Sequence, residues 1–526
     1  MKTFSHAHPI VSCDQAKAFE AAVLPDEAAE WSAMQAAGQG LARMLVEDYT
    51  EIRPVPQHLR VLGLIGKGNN GGDALIACAQ LLADWPRASV DLILTAPIDA
   101  MRPLAAKALR QLEGRVCTHI LKDGSTVQSM GGLLADVGGS GGFHICIDGL
   151  LGMSFKPPLR EPIKSCIEAV NAYEAIDLRA SVDLPSGQGD LADKVTFRPD
   201  FTYATGIVKQ PLLRGNFECG RVRCIDLGFF QHEAAQTLDT SETILMPSVL
   251  HPLRRLRPAA SDKRSFGHLF IVGGSTGMPG ALLMTVKAAV QSGVGLVTVF
   301  APASVVPVMA VQVPEAMWVA WPETASGTLN PRGISLLQER LGRATAVLAG
   351  PGFGRDRNTE MLTQEIVRQV ECPVVLDADA LRARVMEAAQ RRKAQFGPVI
   401  VTPHMGEFMR MAKLAEVNYT RAALLDFSKF YKVTTVLKGP NTRICDGQCI
   451  VHSTRGGPVL ARGGSGDLLA GIIGSMVAQA RAGDLDIVTR GVALHGLAAE
   501  QLARSQGQVL VRTTKLLDFL PTVLRG

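Results

Sequence analysis

LRVLGLIG (Leu59 to Gly66) is apolar at almost every position, and ALIACAQLLADW, a few residues on, repeats its apolar side chains at Leu75, Ile76, Ala79 and Leu82. A continuous apolar run that ends in glycine reads as a strand buried on both faces, and the second spacing reads as one side of a helix. This alternation of short strands, glycine-rich turns and helices runs from about Leu59 to Phe229 and again from about Gly267 to the end. Ahead of it, AKAFEAAVL and MQAAGQGLARMLVEDY carry helical spacing within residues 14 to 48. Strand and helix in alternation predict an α/β fold with mostly parallel sheets covered on both faces. Between the two stretches, residues 232 to 265 have weak periodicity and several prolines, and we place a domain boundary near residues 235 to 255. The halves share no convincing sequence repeat.

The last helix to follow a glycine turn lies in GGPVLARGGSGDLLAGIIGSMVAQA (Gly456 to Ala480). Leu468, Leu469, Ile472, Ile473, Met476 and Val477 fall on one face, and Ala470, Gly471, Gly474, Ser475 and Ala478 keep the other side small. The spacing predicts a helix from about Gly466, with one carboxylate, Asp467, at its mouth.

At 526 residues the chain is too long for one ordinary core, which agrees with two domains. With 47% hydrophobic and 20% charged residues it belongs among globular chains rather than disordered ones. A net charge of +5, from 54 basic and 49 acidic residues, gives no reason to expect a nucleic-acid partner. The basic stretch RPAASDKR (Arg257 to Arg264) reads as a solvated connector or a small binding patch. Among ten cysteines only Cys219 and Cys224, and Cys445 and Cys449, are close, and neither pair has the partners of a zinc site. Reduced thiols and a cytoplasmic location are expected. The N-terminal MKTFSHAHPI lacks a signal-peptide apolar core, and no run is long and apolar enough to predict a membrane span.

Ligands of such sheets lie beyond the carboxyl ends of the strands, so those loops are where chemistry is expected. In the first half, KGNNGGDA joins strand to helix and offers backbone amides to an anion, with Gly71 and Gly72 permitting close approach and Asn69 and Asn70 adding amide groups. Asp73 is either the helix N-cap or part of a site. HICID ends in Asp148, and ASVDLPSG places Asp183 and Ser186 at a further turn. Each acid could be a plain turn former, but three such strand ends would converge on one crevice. Their oxygens suit a hard cation or a polar ligand, and Asp183 is the candidate for proton transfer.

GKGNNGGDA, IDGLLGMSFKPPLR, VDLPSG and a later VTF…K…L…CIDLGF resemble the N-terminal domain of bifunctional NAD(P)H-hydrate repair enzymes over about residues 10 to 230. The resemblance implies a Rossmann-like three-layer domain (YjeF N-terminal-like, residues 1 to 240) that interconverts the R and S epimers of hydrated NADH and NADPH. It implies substrate contacts at Asn69, Asn70, Gly71, Gly72 and Asp73, at Gly152, Met153, Ser154, Phe155, Lys156, Pro157 and Pro158, and at Asp183. It also implies a potassium ion on Asn70, Asp148 and Ser186. The chain departs from the family at Ala74, usually glycine, and at Gly152-Met153-Ser154-Phe155, where Gly-Thr-Gly is usual.

In the second half, five strand ends carry GGSTGMPGA, GPGFG, DADAL, TPHMGE and KGPNT, the last leading into a hairpin closed by Asp446-Gly447. The stretch around Asp467 comes after them. Gly463, Gly464 and Gly466 would let the backbone wrap a phosphate at the helix N-terminus, whose amides carry roughly half a positive charge. An acid there repels phosphate, unless it takes a proton from the group that attacks the phosphorus. An ordinary N-cap is the other reading of Asp467. Lys438 is a phosphate contact or a solvated turn lysine, and His404 a ligand or a structural histidine.

GGSGD resembles the Gly-x-Gly-Asp signature of ribokinase-like small-molecule kinases. The full set is similar to ADP/ATP-dependent NAD(P)H-hydrate dehydratase over about residues 250 to 526. The resemblance implies a ribokinase-like domain that phosphorylates the hydroxyl of the S hydrate from ADP (or ATP) with Mg2+, then eliminates phosphate to restore NAD(P)H. It implies hydrate contacts at Ala281, Gly352, His404 and Asp467, nucleotide contacts at Lys438, Gly439, Pro440, Asn441, Thr442 and Gly466, and a homo-oligomer. Met405 replaces a common proline, and Arg462 a small polar residue, where it could touch phosphate or alter donor preference. Two alternatives stand beside this one: a kinase for a vitamin-type alcohol such as a hydroxymethylpyrimidine or hydroxyethylthiazole, and an N-terminal module that only binds or scaffolds.

Overall fold

A computed structural model describes residues 6–214, 218–415 and 419–525. Its contacts divide the chain into two units, one built on His8–Thr240 and the other on Ser241–Gly526.

In the first unit two helices, Cys13–Val23 and Glu27–Tyr49, precede a sheet of seven strands. The order is Cys117–Ile120, Ser89–Leu94, Arg60–Ile65, Phe143–Gly149, Ile176–Val182, Phe201–Thr205 and Arg221–Ile225, and every neighbouring pair is parallel. Apolar residues of one strand serve both faces. Val61 and Ile65 join the core that holds Leu41, Leu75 and Leu104, while Leu62 and Leu64 join the core that holds Leu134, Ile167 and Val170. Two covered faces explain why LRVLGLIG does not alternate. The chain builds outward from Arg60–Ile65 to one edge, then returns at Phe143–Gly149 and builds toward the other. The crossover direction therefore reverses between these two strands, and the carboxyl ends at such a reversal are where ligands of these sheets bind.

The second unit follows the same rule. From one edge its strands run Met317–Trp321, Leu296–Pro302, His268–Val272, Ala346–Ala349, Val374–Leu376, Val399–Val401 and Val433–Leu437, all parallel. Thr442–Cys445 and Ile450–Ser453 then continue as an antiparallel meander. The reversal falls between His268–Val272 and Ala346–Ala349, so the loops GGSTGMPGA and GPGFG meet, and the Gly274 amide donates to the Pro351 carbonyl at 2.8 Å.

The helix Ser465–Ala480 is buried all round from Leu468 to Ala478. Its small residues are what permit this. A Cβ added at Gly474 would stand 2.8 Å from Leu348 of the sheet, and one at Gly471 would be 2.9 Å from Ala288 of the helix Pro279–Gln291. The hairpin pairs Cys445 with Ile450, so residues 446 to 449 form a four-residue loop rather than a two-residue turn. Asp446 closes it by accepting from the amides of Gln448 and Cys449. The strands Ser89–Leu94, Phe201–Thr205, Leu296–Pro302 and Met317–Trp321 carry no chemical signature and were not singled out in the sequence.

Candidate active sites

The loop after Arg60–Ile65 enters the helix Asn69–Asp84 through Gly68, an N-cap with no side chain to offer. The amides of Asn69, Asn70 and Gly71 donate to no group among the described residues, which leaves an anion-seeking helix end open. Asp73 is therefore not the cap. It sits in the second turn, buried, and accepts no hydrogen bond among the described residues. A Cβ at Gly71 would collide with the Gly66 carbonyl, and one at Gly72 would meet the Met34 sulfur at 2.5 Å, so both glycines are required by packing. Ala74 is accommodated because Gly149 faces it: a Cβ on Gly149 would be 2.7 Å from that of Ala74.

Asn70 donates to the Leu151 carbonyl at 2.8 Å, which ties this turn to the loop from Gly152 to Pro158. Within that loop Phe155 donates to the Gly152 carbonyl at 3.0 Å, Met153 and Phe155 are half-buried, and Ser154, Lys156 and Pro158 are exposed. Asp148, fully buried at the end of its strand, accepts from Ser186 Oγ at 2.6 Å, the Ser186 amide at 2.8 Å, Ser181 Oγ at 3.0 Å and the Leu150 amide at 3.2 Å. Ser186 Oγ in turn accepts from the Leu151 amide at 2.9 Å. Asn70, Asp148 and Ser186 thus meet in one cluster. Burial pushes the Asp148 carboxyl above its ordinary range, and its hydrogen-bond partners among the described residues are hydroxyls and amides, with no basic side chain. An uncompensated carboxylate beside the Asn70 and Ser186 oxygens fits a hard cation. No cluster of three or more His, Cys, Asp or Glu that could hold a metal occurs among the described residues.

Asp183 lies just past Ile176–Val182 in the left-handed region at φ 64, a conformation that a non-glycine residue adopts only when its surroundings impose it. Those surroundings are specific. Oδ1 of Asp183 accepts from the Thr205 amide at 3.3 Å, from Thr205 Oγ1 at 3.1 Å and from the Lys209 ammonium. Lys209 is wholly buried and also lies 4.0 Å from Glu20. Burial works against its charge, but Asp183 and Glu20 outweigh that and hold the ammonium above its ordinary range. Glu20, in the helix Cys13–Val23, is lifted to about 7 by burial, with Lys209 partly offsetting. Lys209 is the lysine of the VTF…K…L pattern, given no role there, and nothing in the periodicity of AKAFEAAVL separated Glu20 from a surface acid.

In the second unit the carboxyl ends of adjacent strands bring five motifs side by side. Gly352, at φ 67, faces Ala281, whose Cβ would be 3.4 Å from one built on the glycine. After Val374–Leu376, left-handed Ala378 separates two acids. Asp379 accepts from the Gly354 amide at 3.0 Å. Asp377, buried, accepts from Thr402 Oγ1 at 2.6 Å and from the Lys438 ammonium at 2.9 Å. Lys438 is thus no solvated turn lysine. Its Nζ stands 3.2 Å from where a Gly466 Cβ would be, against the mouth of the helix that bears Asp467. The rest of the Lys438-Gly439-Pro440-Asn441-Thr442 turn is exposed or half-buried, and Thr442 Oγ1 donates to the Gly439 carbonyl at 3.2 Å.

That helix begins at Ser465 with Gly464, at φ 90, as its N-cap, so Asp467 is not the cap either. Among the described residues the amides of Gly466 and Asp467 donate to no group and the Asp467 carboxylate accepts no hydrogen bond. Burial, then the repulsion of Asp377 and Asp379 against the pull of Lys438, lifts its pKa to about 7. His404 caps the helix Met405–Ala412: Nδ1 accepts from the Glu407 amide at 3.3 Å, and Glu407 accepts from the His404 amide at 2.9 Å. The ring is otherwise exposed beside Lys438, whose amide donates to the Pro403 carbonyl at 2.8 Å. Arg462 donates to the carbonyls of Gln508 (2.9 Å) and Val509, which accounts for its guanidinium without a phosphate.

Two residues that the sequence did not mark support this loop. Buried Glu500, on the helix Leu485–Gln506, accepts from the Gly456 amide at 2.9 Å and from Arg455 at 3.4 Å. Buried His495, one helical turn earlier, lies near the Ser465 backbone, its pKa lowered to about 4 by burial. They come from a helix far along the chain, so only the fold could reveal them.

Comparison with known proteins gives two family matches. The NAD(P)H-hydrate dehydratase model matches residues 269–522, and the YjeF-related protein N-terminus model matches residues 31–211. The bifunctional NAD(P)H-hydrate repair enzyme of Moorella thermoacetica is 32% identical over 485 residues, covering 89% of this chain and 88% of that protein. The enzyme of the same name from Salinibacter ruber is 30% identical over 524 residues, covering 93% of this chain and 91% of its own. Among solved structures, the ADP/ATP-dependent NAD(P)H-hydrate dehydratase of Bacillus subtilis, co-crystallized with ATP/Mg2+, is 29% identical at a TM-score of 0.43, covering 51% of this chain and 93% of its own.

Proposed function

The chain belongs to the family of bifunctional NAD(P)H-hydrate repair enzymes, and from that premise we propose how its two sites share the work. The first unit interconverts the R and S epimers of hydrated NADH and NADPH. The second dehydrates the S epimer with ADP, or ATP, as phosphate donor. Hydroxide leaves a saturated ring carbon poorly and phosphate leaves well, so transfer of a phosphoryl group to the hydroxyl precedes elimination.

One observation carries the second activity. An unbonded carboxylate, Asp467, shares a helix mouth with two free amides and with the Lys438 ammonium. A hydroxyl held there can give its proton to Asp467 as it attacks, while the amides of Gly466 and Asp467 and the Lys438 charge meet the growing negative charge on the transferred group. Ala281, Gly352 and the exposed edge of His404 are the proposed hydrate contacts. The turn from Lys438 to Thr442, with Gly466, is the proposed nucleotide contact. Mg2+ enters with the nucleotide phosphates.

In the first unit Asn69 to Asp73, the loop from Gly152 to Pro158, and Asp183 are the proposed substrate contacts. Asn70, Asp148 and Ser186 would hold potassium, whose charge would help anchor an anionic ligand at the open helix end. The domain limits, 1–240 and 250–526, a cytoplasmic location and a homo-oligomeric state belong to the same proposal. Among the described residues no disulfide joins two cysteines, and no helix is long and apolar enough to cross a membrane.

The test is incubation of purified protein with mixed R and S hydrates and ADP or ATP, both epimers being followed by chromatography. NADH or NADPH should return while both epimers fall. A stable phosphorylated product with no cofactor regained would favour the alcohol-kinase alternative. Asp183→Ala should abolish epimer exchange and leave dehydration of the S form intact. Unchanged exchange in that variant would remove Asp183 from the chemistry.

A further inference from the structure

We propose that Asp73 and Asp183 divide the epimerisation as acid and base, and that Lys209 is the positioning residue that keeps the division fixed. The inference rests on the epimerase reading of the first unit and assigns roles within it.

Asp183 is held on one side only. All three of its donors, the Thr205 amide, Thr205 Oγ1 and Lys209, fall on Oδ1, and Oδ2 accepts no hydrogen bond among the described residues. The cation paired with this carboxylate is therefore bound away from the oxygen left for substrate. Asp73 has the opposite surroundings. It is buried in the same cluster, no donor among the described residues reaches either of its oxygens, and its charged neighbours are two acids and one lysine: Asp183, Glu20 and Lys209. A buried carboxyl so placed is stable in its neutral form. Burial first, then Asp183 and Glu20, push it well above the ordinary carboxylate range.

The remaining groups do not compete. Glu20 reaches Lys209 at 4.0 Å rather than Asp183, with Glu30 adding repulsion. The Cys13 thiol on the same helix is pushed up to about 12 by burial, Asp190 and Asp183, and stays protonated. The cluster thus sets a buried carboxyl without a donor beside a carboxylate paired with a cation, an arrangement suited to acid–base catalysis.

In the R-to-S direction Asp73 gives its proton to the hydroxyl oxygen on the hydrated ring carbon. That C–O bond breaks, water leaves, and the lone pair of the adjoining ring nitrogen forms a C=N bond. A water adds to the opposite face of the carbon, the C=N pair returns to nitrogen, and the surplus proton passes to Oδ2 of Asp183. The reverse direction runs with the roles exchanged. One water is lost and one gained, and the proton returns from Asp183 to Asp73 through solvent.

The test uses the full chain as wild type, Asp73→Asn, Asp183→Asn, Lys209→Met and Lys209→Ala, with R-to-S exchange followed by chromatography from pH 6 to 9. Dehydration of the S hydrate serves as a control on each preparation. Asp73→Asn and Asp183→Asn should each lose roughly 10²-fold or more. Lys209→Met should lose roughly tenfold or more, with the acidic limb of its pH–rate profile moved to higher pH, and added methylammonium should restore part of the Lys209→Ala rate. In ¹⁸O-labelled water the product epimer should carry the label. Full exchange in Asp73→Asn, an unmoved rate and profile in Lys209→Met, or product with its original oxygen would overturn the division while an inactive Asp183→Asn leaves the epimerase reading standing. Full exchange in Asp183→Asn would overturn both. Should Lys209→Met fail to fold, the isosteric Asp73→Asn decides the matter alone.

Discussion

Asp467 shares one ammonium, that of Lys438, with Asp377, and its placement has two consequences that a point substitution can separate. A general base must be ionised, so the dehydration rate should fall as pH drops through about 7 and level off above it. Asp467→Asn should remove roughly 10²- to 10⁴-fold of that rate at every pH while nucleotide still binds, as read by steady-state kinetics and calorimetry. The second consequence concerns stability. A carboxyl lifted to about 7 in the folded chain binds its proton more tightly there than in the unfolded chain, where its pKa is about 4. It therefore costs nothing at pH 4, costs more as pH rises from about 4 to 7, and costs a constant amount beyond. Asp467→Asn should accordingly raise the melting temperature at pH 8 and leave it unchanged at pH 4, so the residue that loses activity gains stability.

At the scale of elements, each site is a helix N-terminus presented by a glycine turn, and packing rather than propensity decides which turns stay open. Gly464 takes φ 90 and Gly456 φ 110, and the stretch between them is anchored from behind by Glu500 on Leu485–Gln506. Glu500→Ala would leave Arg455 and the Gly456 amide without their buried acceptor, a loss of about 3–5 kcal/mol. Urea unfolding measures that loss, and the surviving folded protein should show a raised KM for the nucleotide before any change for the hydrate. Chain periodicity located Asn69–Asp84 and Ser465–Ala480, because their apolar faces must meet a sheet. The cap, the alternative reading of both acids, is set aside by the structure, because in each case a glycine occupies the capping position and the acid stands further in.

For the whole molecule the two activities are linked by a diffusible epimer, which is the product of one unit and the substrate of the other. A chain carrying Asp183→Ala and a second carrying Asp467→Asn should each fail to convert pure R hydrate to NAD(P)H at the wild-type rate. Mixed together they should recover it, as followed by cofactor absorbance. No recovery on mixing would show that the epimer is not released between the two reactions. Each unit reverses its crossover direction once, and loops of each candidate site, Gly66 to Asp73 with Asp148 in the first unit and Ala281 with Gly352 in the second, follow the strands on either side of that reversal.

What the sequence determined by itself is the set of strand ends that carry chemistry. Apolar runs must be buried, a buried parallel strand must end in a loop, and glycines, asparagines and acids in that loop are legible one stretch at a time. Gly66 to Asp73, Asp148, Asp183, Gly352, Lys438 and Asp467 were all visible in this way. What only the tertiary structure decided is the charge balance around them. Glu20 and Lys209 reach Asp183, and Asp377 and Thr402 hold Lys438, across separations that no periodicity encodes. Ionisation depends on burial and on neighbours within a few ångströms, so which acid keeps its proton is settled only when the strands lie side by side.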